Sequence, residues 1–325
     1  MRVYLNNLAT SSWFKQFLKL MVSVSLIYYC LTLVDLKQVS LLIKDTDIIY
    51  FIISFLFIVL GTVVVKSMTA WILLSQHHKT SYIELIKVNF SLRFYTMVLP
   101  KAVVAGIRWN KYRNISDPKY SFVLVAFEAL AALTISALAT LIFLLLSYED
   151  AIPFNFMLFS FGICAVFVFS MAVLFLYQDT AFTKYLIRIF NSTPITVFLA
   201  KLIEKWKTSS SLLEMEKARN FWTVFLIGVI SHLLFLIGAY YLFVALRIDI
   251  SFTAVAWIRS AVFIFVSIPI SLAGIGLREV GFIALFGLYG LQSDAILAYA
   301  MLALAIQFGI GFIGVFTELE HWFGK

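Results

Sequence analysis

The sequence predicts an all-α, polytopic membrane protein: six full transmembrane helices plus two opposed re-entrant helical hairpins, about eight membrane segments arranged like an inverted repeat. Three observations carry this. First, 62% of the 325 residues are hydrophobic and 13% charged, with a mean hydropathy of +0.98, against about 45–50% and about 25% in soluble domains. Twenty-five basic and 17 acidic side chains cannot coat so apolar a chain in water, which excludes a soluble enzyme, a nucleic-acid-binding domain and a disordered protein. Second, the apolar residues come in long unbroken runs, not in the short alternating segments of an outer-membrane barrel. Third, two apolar stretches end in Pro, Gly and Arg where a simple span would end in a polar loop.

A crossing helix needs about 20 apolar residues, and the full spans are placed at 17–34, 48–74, 120–146, 154–177, 221–246 and 292–316. The first reads as an anchor rather than a cleaved signal, because no small-residue cleavage site follows its apolar run. Loop charge sets direction. Lys184, Arg188, Lys201, Lys205, Lys207, Lys217 and Arg219 mark 178–220 as a basic cytoplasmic connector, whereas Glu149 and Asp150 stand without a cation in the turn at 147–153. Arg2, Lys15 and Lys325 put both termini in the cytoplasm.

The same rule places 75–81 and 101–119 on one side, although the apolar stretch 82–99 lies between them. A hairpin over 82–118 that dips in and returns resolves the conflict. Such irregular backbone is tolerated at membrane depth only beside protein or a water-filled cavity. The stretch 252–291 repeats the pattern upside down, broken at Pro269 and 273–279. The chain is thus one transmembrane domain over 1–325, with a hairpin in each half.

The two breaks echo one another: Pro100, then Ala105-Gly106-Ile107-Arg108, and Pro269, then Ala273-Gly274-Ile275 and Arg278-Glu279. Interrupted segments at matching places in two halves are the usual pointer to a transporter's site. Pro and Gly end helices early and free backbone amides for an anion. An Arg adds a planar fork suited to phosphate, and Gly106, Gly274 and Gly276 would let a headgroup approach the backbone. The alternative reading is a simple kink, with Arg108 and Arg278 snorkelling to the interface. Glu128 lies within 120–146 and needs a partner, for which Arg93 and Arg108 are the candidates; a structural salt bridge and substrate contact both fit. Lys66 and Arg259 also interrupt apolar runs, Asp294 is placed as the cap of the last helix, and His232 is a lone hydrogen-bonded packing residue. Gly309, Gly311 and Gly314 allow close helix approach, with a dimer seam as one use.

No nucleophile–base pair, paired carboxylates, zinc motif, P-loop or dinucleotide fingerprint is present, so neither catalysis nor a cofactor or metal is expected. Cys30 and Cys164 sit in separate apolar runs and read as packing residues.

The segment 266–302, with its Pro, small-residue run, Gly-x-Arg-Glu and short helix ending in Gly, resembles the hallmark of the lysylphosphatidylglycerol synthase transmembrane family. Residues 94–113 are similar to that family's first signature, and 125–130 to its Glu segment. Two departures stand out: Lys101–Gly106 replaces a Gly-rich stretch ending in Asp, and Ala129 follows Glu128 where Arg is common. The resemblance implies a helical bundle with two opposed hairpins and a flippase-like activity, without the aminoacyl-transferase domain of bifunctional members. It implies a bacterial or archaeal cytoplasmic membrane as the location. The partner is then a membrane phospholipid or lipid-linked glycan intermediate, bound by Arg108, Gly106, Glu128, Arg93, Gly274, Gly276, Arg278 and Glu279. A second copy of the chain or an envelope-biosynthesis enzyme is a further partner to consider. The other function class is a non-transporting membrane partner of a lipid-modifying or glycosyl-transferring enzyme, which would need only a filled bundle.

Overall fold

The computed structural model describes residues 12–75, 79–99, 101–116, 118–147, 158, 160–166, 218–267 and 274–323. Every regular element among them is helical. In chain order these are α1 (Ser12–Thr32), α2 (Leu36–Lys44), α3 (Ile48–Leu74), α4 (Tyr82–Val98), α5 (Lys101–Ile115), α6 (Pro118–Leu146), α7 (Ala218–Ala245), α8 (Phe252–Ser267), α9 (Leu277–Phe286) and α10 (Ser293–Phe323).

Four of them hold continuous stretches long and apolar enough to cross a bilayer: Ile48–Leu74, Leu124–Leu146, Trp222–Ala245 and Ser293–Leu319. Large apolar side chains such as Leu56, Leu146, Leu226 and Phe312 stand exposed on these helices. In water this would be an aggregation hazard; against acyl chains it is the ordinary outer surface of a membrane bundle. The chain is a multi-pass membrane protein.

The span expected at 17–34 falls on α1, which turns by 83° into α2; the length and hydropathy of a crossing are met only by the bent pair taken together. Asp35 caps α2 by accepting the Lys37 amide, and apolar and polar residues separate onto two faces over Leu36–Lys44. The expected span 154–177 and the connector 178–220 lie almost wholly outside the described residues.

Both segments read as broken are broken. In the first, α4 stops at Leu99, ahead of Pro100, and α5 starts at Lys101. In the second, α8 ends at Ser267, and a turn at 274–276 leads into α9, which packs back on α8. At about 1.5 Å per residue, the 17 residues of α4 reach roughly 25 Å, short of the ~30 Å hydrocarbon core. The local echo between the breaks fails, however. Ala105-Gly106-Ile107 is an ordinary part of α5, while Gly274 and Gly276 both hold φ of +82° in a turn. The order of Pro, Gly and Arg was shared; the backbone conformation was not.

Small residues set the tightest helix crossings. Gly61 of α3 lies against the Ser231 carbonyl and Leu234 of α7, and Gly238 of α7 lies against Ser54 and Ile58 of α3. Gly311 and Gly314 of α10 face Met97 and the Phe90 carbonyl of α4. These two glycines therefore close an intramolecular seam, which corrects their reading as a dimer face. Asp294 likewise serves another element: its Oδ1 accepts the Asp35 amide at 2.7 Å, tying the start of α10 to the α1–α2 bend.

Candidate functional site

The site begins with a defect in α3. Over Leu60–Val65 the helix widens into a π turn before resuming at Lys66. Such bulges loosen the backbone ladder and are frequent at functional sites. Three side chains from other helices donate to carbonyls of this turn: Ser231 Oγ to Gly61 at 2.9 Å, Arg93 Nη2 to Thr62 at 2.9 Å and Tyr82 Oη to Val64 at 2.7 Å. Thr62 and Lys66 line a cavity to which Arg93 and Ser231 also contribute.

Around this end gather the charges of the first half. Glu128, its side chain 2% exposed, takes the Arg108 guanidinium at 2.9 Å, and Tyr112 Oη lies 3.5 Å from its other oxygen. Arg108, not Arg93, is thus the partner of Glu128. Arg93 has only the Thr62 carbonyl for its guanidinium, and Lys66 has no hydrogen-bonding or ionic partner among the described residues.

The second half supplies further charges. Gly276, in the left-handed region, caps α9, and Glu279 at the third position of that helix accepts the Gly276 amide at 2.7 Å. The other Glu279 oxygen takes Arg278 Nε and Nη2 at 2.9 and 2.6 Å, while Arg278 Nη1 donates to Gln307 of α10 at 3.2 Å. Arg259 of α8 is 6% exposed, its guanidinium 4.9 Å from the Phe235 ring and 5.0 Å from the Phe282 ring. His232 Nε2 lies 2.9 Å from Ser260 Oγ.

The cavity has a volume of about 320 Å³. Among the described residues its walls carry Lys66, Arg93, Arg259 and Arg278 against a single carboxylate, Glu128. Adding the partners Arg108 and Glu279 leaves the excess of three positive charges unchanged. A family model described as lysylphosphatidylglycerol synthase TM region matches residues 16–314. The chain belongs to this family. A search of curated proteins gave no match.

As a lysylphosphatidylglycerol synthase transmembrane protein, the chain is a membrane protein of lipid and envelope biosynthesis, matched on the membrane region of such synthases rather than on their catalytic part. Against that identity, the residues singled out from sequence fall into three sets. Arg93, Glu128 and Arg278 line the cavity; Arg108 and Glu279 stand one layer back as their ion partners. The glycines do something else. Gly106 lies on an exposed face of α5 with open space beside it, and the backbone at Gly276 is approached by Ser23 and Leu26 of α1, that at Gly274 by Val266. Gly274 and Gly276 serve a turn and close packing, Gly106 serves neither, and none of the three lines the cavity.

Lys66, Arg259, His232 and Gln307 also line the cavity. Their signal was a charge or polar group inside an apolar run, but sequence gives no depth or facing. Among the described residues no group of His, Cys, Asp and Glu could hold a metal ion.

Proposed function

We propose that this protein is a flippase-like translocator of a phospholipid or lipid-linked headgroup across the cytoplasmic membrane. The headgroup enters the cavity between the two broken segments. The observation that carries the reading is the uncompensated positive charge inside. Buried cations are costly unless paired, and this cavity leaves that pairing to its occupant. A phosphate-bearing headgroup supplies it, with Arg278 and Arg93 offering planar donor forks.

Size fits the same reading. A volume of about 320 Å³ lies at the low end of the ~300–1,000 Å³ of small-molecule sites. It takes a headgroup and leaves the acyl chains in the bilayer. A cavity walled by four cations is also more than a passive anchor for another enzyme requires, which favours transport over the non-transporting role. The two hairpins, opposed across the membrane, would move against each other and expose the cavity in turn.

The test is translocation of a fluorescent anionic phospholipid in proteoliposomes. The native protein should accelerate it over empty vesicles, and an Arg278→Ala, Glu279→Ala double variant should not. Equal rates for native and variant would remove the site from the reading.

A further inference from the structure

The cations of the cavity come from both halves of the chain. Lys66 of α3 and Arg93 of α4 stand on elements that pack together in the first half, and Arg259 of α8 and Arg278 of α9 on two that pack together in the second. All four line the same cavity.

Arg259 is the least expected of the four. Its planar faces are taken by Phe235 and Phe282, with Tyr299 a third ring at 5.7 Å. Stacking holds the guanidinium in place but satisfies no N–H. Its buried Nε has no hydrogen-bond partner, and no carboxylate pairs with it among the described residues. Glu279 already spends its oxygens on Arg278 and the Gly276 amide. The buried Tyr299 hydroxyl is unpartnered as well. A guanidinium positioned by aromatic rings, with its edge unused, is built to receive a second oxyanion.

Resting on the translocator reading, we infer that the cavity has two anion subsites, Lys66–Arg93 and Arg259–Arg278, and that its substrate is a lipid headgroup with two phosphates. A net positive cavity of this kind disfavours an aminoacylated, cationic headgroup.

Native mass spectrometry of the full chain in detergent, titrated with cardiolipin, phosphatidylglycerol and phosphatidylcholine, tests this. Cardiolipin should bind about tenfold more tightly than phosphatidylglycerol, the scale of one charge-assisted contact, and phosphatidylcholine weakest. Arg259→Met should shrink the preference for cardiolipin over phosphatidylglycerol from about tenfold to about one; Arg259→Lys should retain part of the preference. Equal affinity of the native protein for cardiolipin and phosphatidylglycerol would overturn the second subsite, and this comparison needs no variant to fold. Failure of both anionic lipids to outbind phosphatidylcholine would instead overturn the translocator reading itself.

Discussion

Arg108 of α5 and Glu128 of α6 meet at 2.9 Å, side chains 20% and 2% exposed. The bridge fastens the second arm of the first broken segment to the next long helix, and it uses up the one carboxylate that the described residues bring to the cavity wall. Removing one member leaves the other buried without its counter-charge, at a cost of about 3 kcal/mol. Glu128→Ala should therefore lower the melting temperature in detergent markedly. Arg108→Met combined with Glu128→Leu should lose less than Glu128→Ala alone.

The helix seam of α4 and α10 makes a second prediction. A Cβ at Gly314 would run into the Phe90 carbonyl, which is backbone and cannot rotate away. Gly314→Ala should cost about 2 kcal/mol, the scale of overpacking a tight contact. The same change at Gly106, inside α5 with open space around it, should raise thermal stability slightly, by about 0.5–1 kcal/mol. Melting curves of the two variants side by side check the contrast.

The π turn predicts a smaller effect. Tyr82→Phe deletes the donor to the Val64 carbonyl and nothing else of its shape. A loss of about 1 kcal/mol is expected, read as a shift of the detergent melting curve. Because Tyr82 does not line the cavity, lipid translocation should persist.

Glu279 is the ion partner of Arg278 and offsets its charge. Glu279→Gln keeps an acceptor for the Gly276 amide but adds one positive charge to that end of the cavity. Anionic headgroups should then bind several-fold more tightly and leave more slowly, so affinity rises while translocation falls. Parallel binding and proteoliposome measurements separate this from general damage, which would lower both.

Much of the architecture was legible because its signals are strong. Apolar runs and broken segments follow directly from composition and from Pro and Gly chemistry, as α3, α6, α7 and α10 show. The α1–α2 bend was hidden because a nine-residue amphipathic helix leaves too short a pattern between two apolar runs. At the site, the need of Glu128 for a partner was plain, but its choice of Arg108 over Arg93 depended on which face of α4 turns toward Thr62. The π turn decided that, and nothing in Leu60–Val65 announces a π turn. Glu318 was missed altogether: near the end of α10 it looks like a surface charge, yet it is buried and takes Ser91 and Lys111 from the two arms of the first broken segment.

The central claim is that an anionic headgroup occupies the cavity between the broken segments. A cryo-EM structure of the protein in nanodiscs of anionic phospholipid tests it most directly. The expected result is phosphate density within hydrogen-bonding distance of Arg93, Arg259 or Arg278, with acyl chains running outward between helices. A cavity filled by acyl chain alone, with every headgroup left at the bilayer surface, would contradict it.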